Sequence, residues 1–170
     1  MEIIKNTDGI LNQLNGLVDS LQPYEFTKPL TILSGSTIGQ HIRHILEFYV
    51  EFLNGYEFGI VCYDNRKRNL DFETNQPIII SKLNEIITTI RGCDLTIDLK
   101  IKSNHGLDDK EHTISNSSVM REMVYALDHT VHHLAIIKIA MQVEFNHIKL
   151  NENMGIAPST LRNNKKVCVQ

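Results

Sequence analysis

Five of the eight histidines in this 170-residue chain fall in two short segments, GQHIRHILEF at 39–48 and DHTVHHLA at 128–135. Imidazole is a ligand for zinc, nickel, copper and iron, so the chemistry to test first is metal binding. His129 and His133 stand four residues apart. On an α-helix that spacing turns about 400°, so both rings project from one face, one turn apart. The geometry lets two imidazoles reach one cation at about 2.0–2.1 Å each. His132 points some 100° away from His133 on the same helix and cannot share that cation. Alone, HxxxH is a weak signal, because solvated or hydrogen-bonded histidines also occur at this spacing.

A third ligand has two candidates, His41 and His44, three residues apart on a second helical segment. His41 falls within the apolar stripe of Ile38, Ile45, Phe48 and Phe52. His44 sits between that stripe and a polar strip of Gln40, Glu47 and Glu51. Uncompensated imidazoles in a bundle core each cost roughly 1–3 kcal/mol to desolvate. A shared cation satisfies several of them together. Three neutral nitrogen ligands leave a coordination position free, as working sites do and closed structural sites do not. A di-iron carboxylate centre would need Glu-x-x-His on two helices. The chain offers one, Glu144 to His147, at or beyond the end of its last long helix.

Four amphipathic segments must position these residues. Ile3 to Leu21 carries apolar residues at helical spacing and ends before Pro23. A second helix opens near Ser36 and runs to about Asn54, with Gly55 as its stop. A long connection, 55–73, holds the charged run YDNRKRN at 63–69. Thr74 or Asn75 caps a third helix, with Ile78, Ile79, Leu83, Ile86, Ile87 and Ile90 facing inward, and Gly92 ends it. Leu95 to Ile101 alternates at period two and pairs back with 112–114 across a turn at Asn104–Asp109. The fourth helix opens at Ser117 or Ser118 and runs to about Val143, its stripe being Met120, Val124, Leu127, Val131, Leu134 and Met141. A short helix follows Pro158. The expected fold is all-α: an up-down four-helix bundle in one domain, 1–170, with a small β-hairpin between the third and fourth helices.

Composition agrees with a globular chain, at 42% hydrophobic and 22% charged residues. A net charge of −3 gives no general attraction to phosphate backbones or anionic lipid, so neither nucleic acid nor membrane is an expected partner. No apolar run approaches the roughly 18–20 residues of a membrane span. The N-terminus lacks the basic start and apolar block of a signal peptide. Three scattered cysteines, Cys62, Cys93 and Cys168, fit a reducing compartment, so a cytoplasmic location is expected.

The order of these segments, with GQHIRHILEF, YDNRKRN, SSxxREMxxALDHTVHHLA at 117–135 and MGIAPSTLR at 154–162, resembles the DinB/YfiT-like superfamily. The resemblance covers nearly the whole chain. It implies a four-helix bundle, commonly dimeric, with three histidines holding a divalent metal such as zinc, nickel or iron. The family's second-helix ligand falls on His44, and the other two on His129 and His133; His41 is an extra histidine. Relatives include transferases that use low-molecular-weight thiols such as bacillithiol or mycothiol, and others regarded as metal-dependent hydrolases.

Two functions follow as expectations. One is a metal-dependent enzyme, of transferase or hydrolase type, acting on a small molecule. Asp64, Arg66 and Arg68 would then orient an anionic substrate, although a salt-bridged loop anchor is the simpler role for that run. The other is a non-catalytic, stress-associated helical bundle whose metal is vestigial or absent.

Overall fold

The structure, a computed structural model, describes residues 1–108 and 111–167; Asp109 and Cys168, both named above, lie outside them. The chain is mostly helical and carries one small three-stranded sheet. In order, the elements are α1 (Glu2–Ser20), α2 (Pro23–Thr27), α3 (Ile38–Phe58), β1 (Ile60–Val61), α4 (Asp71–Thr74) and α5 (Gln76–Arg91). There follow β2 (Asp98–Ser103), β3 (Thr113–Ser118), α6 (Val119–Glu144) and α7 (Pro158–Val167).

Four long helices share one core. α1 packs on α5 and α6, and α3 packs on α6 and α5. Leu11, Leu14 and Val18 of α1, Ile42 and Leu46 of α3, Ile79 and Leu83 of α5 and Leu134 of α6 are fully buried within it. Ile78 lies on the exposed side of α5 instead of the expected inward stripe. Among the described residues, no helix is long and apolar enough to cross a membrane.

Capping residues set where the site-bearing helices start. Thr37, one residue beyond the expected Ser36, accepts a hydrogen bond from the Gln40 amide at 3.0 Å. The Gln40 side chain accepts from the Thr37 amide at 3.2 Å. This reciprocal box fixes the entry of α3, with His41 in its first turn and His44 in its second. Ser118 caps α6 through the Arg121 amide, and Asn75 caps α5 through the Ile78 amide.

Three expectations need correction. First, α3 does not stop at Gly55; it continues to Phe58 and closes on Gly59, whose φ is 76°. Gly55 serves a different purpose: a methyl group there would stand 2.8 Å from the Val61 Cα, so glycine lets β1 cross close to the helix. Second, the hairpin is part of a mixed sheet. β1 pairs in parallel with β2, Ile60 opposite Lys100 and Val61 opposite Ile101. β2 pairs antiparallel with β3, from Asp98 opposite Ser118 to Ser103 opposite Thr113. Third, the stretch between Leu21 and Ser36, where no element is expected, contains the short helix α2. Its Gln22–Glu25 capping box explains the turn that proline begins.

Candidate metal centre

α3 and α6 lie side by side, and their histidines meet between them. Ring centroids are 4.9 Å apart for His44 and His129, 4.8 Å for His44 and His133, and 4.6 Å for His129 and His133. One ligand nitrogen from each lies within 4.8 Å of the others. Around a tetrahedral cation with bonds of about 2.0–2.1 Å, such nitrogens sit about 3.3 Å apart. The rings are therefore close enough to hold a metal ion, with only small ring movements. His132 is exposed, its ring meeting that of His133 edge-on at 5.4 Å without joining the three convergent nitrogens, and Asp128 is exposed too.

The chemistry of the donor set also fits a cation. The Nε2 of His129 is buried and has no hydrogen-bond partner. Such a group costs free energy unless something supplies a bond. Burial, reinforced by neighbouring His129 and Arg66, holds the His44 imidazole down at about 4. Burial does the same to His129, with His132 and Arg66 adding to it, also to about 4. His133 is pushed to about 3 by burial and then by His129 and His44. All three are thus neutral near pH 7, the state in which imidazole ligates metal.

That shift has a consequence for the metal-free protein. A neutral-favouring fold binds fewer protons than the unfolded chain, where imidazole titrates at its ordinary 6.5. The contribution of His44 and His129 to stability is therefore complete above pH 6.5 and is lost as pH falls from 6.5 towards about 4. Thermal denaturation of chelator-treated protein should show a flat Tm from pH 8 to 7 and a decline below 6.5. A Tm that rises on acidification through this range would contradict the neutral assignment.

An aromatic wall backs the cluster. Phe48 stacks on His129 at 3.9 Å and 20° and meets His44 edge-on at 4.8 Å. Tyr63 stacks on the other side of Phe48 at 4.8 Å and 16°. The Tyr63 hydroxyl donates to Glu122 at 2.8 Å. Glu122 is fully buried; it also accepts from Ser117 and, at 2.9 Å, from Arg121. Burial and the adjoining carboxylate push the Tyr63 phenol well above its ordinary value, so it stays a donor.

The run at 63–69 is pinned beside this wall. The Arg66 guanidinium lies 4.7 Å above the Phe48 ring centroid and donates to the Tyr63 carbonyl. The Asn69 amide donates to Glu47 at 3.0 Å. Asp64 accepts from the Asn104 amide at 2.8 Å, which ties the loop to the sheet's turn. Arg66 therefore stands near the histidines, Asp64 serves as a loop anchor, and Arg68 is exposed. His41 meets His133 instead of joining the three-ring cluster, Nδ1 to Nδ1 at 3.0 Å.

Two recesses flank the cluster. One, of about 210 Å³, is lined by Ser36, Gln40, His41, Arg43, His44 and His133. A larger one, of about 450 Å³, lies against the sheet, and its lining includes Tyr63, Lys102, Asn104, Ser117, Arg121 and Tyr125. Tyr63 and Tyr125 belong to this lining and to the ring cluster around Phe48. Sequence reasoning missed Glu122, Tyr63 and Phe48 as parts of the site. Phe48 reads as ordinary core, and Glu122 reads as an acid favoured by a helix N-terminus.

Comparison with known proteins adds little. No family model matches the chain, and no solved structure matches it. Over 110 residues the chain is 30% identical to FK506-binding protein 5 of Rhizopus delemar; the stretch covers 63% of this chain and 28% of that protein. The chain thus spans under a third of the length of the curated relative it matches.

Proposed function

We propose that the chain is a metal-dependent enzyme of the DinB/YfiT-like superfamily, an up-down four-helix bundle with a divalent cation on His44, His129 and His133. The observation that carries this reading is the convergence of three neutral imidazoles from two helices, one with a buried and unpartnered nitrogen. Zinc, nickel and iron all suit such a donor set. A cation there would supply Lewis acidity, enough to ionise water or a thiol near neutral pH.

The protein's own residues then divide the remaining work. Phe48 keeps water from one side of His129 and holds the ring by stacking. The positive charge of Arg66 above Phe48 favours a substrate that is anionic or develops negative charge. The recess beside His41, His44 and His133 gives a small molecule access to the cluster. A low-molecular-weight thiol or a hydrolysable ester or amide is the substrate class proposed, with a cytoplasmic location and a homodimer as the assembly.

Zinc-, nickel- and iron-loaded protein should be screened for thiol adduct formation with an electrophile and for ester or amide hydrolysis. Turnover in at least one assay is expected, and it should vanish when a chelator removes the metal. Activity that survives complete metal removal contradicts the reading. A metal-free protein whose Tm ignores all three ions would favour a non-catalytic bundle.

A further inference from the structure

We infer that His41 is a positioning residue: its Nδ1 accepts a hydrogen bond from Nδ1–H of His133 and so leaves the His133 Nε2 lone pair for a cation. The inference rests on the three-histidine reading above and adds a residue to it.

The geometry is specific. His41 on α3 and His133 on α6 face each other with Nδ1 atoms 3.0 Å apart, ring centroids 5.2 Å apart and planes at 52°. Two neutral imidazoles at that distance share one proton, so one ring donates and the other accepts. A ligand ring must present a lone pair to the metal. With its Nδ1 engaged by His41, His133 can present only Nε2, and its proton must then sit on Nδ1. His41 is consequently the acceptor and keeps its own proton on Nε2.

No other ligand ring has such a partner. Among the described residues, His44 and His129 make ring contacts but no hydrogen bond, and the buried Nε2 of His129 is unpartnered. His41 therefore provides the polar contact that fixes the tautomer and ring orientation of a ligand. Outer partners of this kind raise metal affinity about 10–100-fold in other sites.

The test starts from metal-free full-length protein. Long-range 15N–1H spectra report which nitrogen of each histidine carries the proton. The expected result is Nδ1–H for His133 and Nε2–H for His41. His41→Phe keeps the bulk and removes the acceptor, so His133 should revert to Nε2–H and zinc affinity should fall about 10–100-fold. His41→Asn returns an oxygen near the Nδ1 position and should restore both the tautomer and most of the affinity.

Finding Nε2–H on His133 in the unaltered protein overturns the inference, whatever the variants do. So does a His41→Phe variant with unchanged tautomer and unchanged zinc affinity. If His41→Phe does not fold, the spectrum of the unaltered protein decides alone. Failure of that protein to bind zinc would instead sink the three-histidine reading, while the tautomers still judge the hydrogen bond.

Discussion

His129→Ala is expected to lower zinc affinity by a factor of about 100 or more, a loss on the order of 3 kcal/mol. His129 is one of three nitrogen donors, and a pair of imidazoles holds a cation far more weakly than a triad. The same substitution at His133 or His44 should do as much. His132→Ala is the control, because that ring is exposed and one position out of the cluster. A thermal readout follows by mass action. Zinc at about a hundred times its Kd stabilises a folded protein by about 2.7 kcal/mol. For a chain of this length that raises Tm by roughly 5–10 °C. The unaltered protein and His132→Ala should show the rise, and His129→Ala should not. Equal zinc responses in all three would remove His129 from the site.

The second large effect concerns stability. Glu122→Ala removes a fully buried carboxylate that accepts from Tyr63, Ser117 and Arg121. The Tyr63 hydroxyl would be left beneath the wall without its acceptor, and a small void would open beside it. Together these cost about 2–4 kcal/mol, or roughly 4–16 °C in Tm. Tyr63→Phe, which loses only the hydroxyl, should cost about 1 kcal/mol. The double variant should cost less than the two losses added, because both act on one hydrogen bond. Chemical denaturation of the four proteins measures the coupling. A Glu122→Ala loss under 1 kcal/mol would show that this network is dispensable. Ring stacking links the network to the site, since Tyr63 stacks on Phe48 and Phe48 on His129.

Much of this arrangement was legible from residue spacing. The i, i+4 pair His129 and His133 follows from helix geometry alone. The pair His41 and His44 did not separate so cleanly. They lie only about 60° apart around the axis, so periodicity leaves both near the inward face. The resemblance favoured His44 as ligand, and the structure sets His44 in the ring cluster and His41 against His133. Gly55 misled because glycine more often ends a helix than lines a crossing strand. β1 is two residues long, too short to show any alternation.

The face of α6 was read partly in error for a related reason. Val124 is exposed, whereas Met123, Ala126, Thr130, Ile137 and Ala140 are buried. A search for large apolar residues passes over alanine and threonine, yet small side chains let helices approach closely. The network beneath Tyr63 was illegible because it joins residues 59 positions apart in the chain.

Anomalous diffraction from zinc-loaded crystals, collected on either side of the zinc edge, tests the central proposition most directly. The account predicts one strong peak between α3 and α6, about 2.0–2.1 Å from a nitrogen of each of His44, His129 and His133. An empty cluster at full zinc saturation, or zinc held by other side chains, would contradict it.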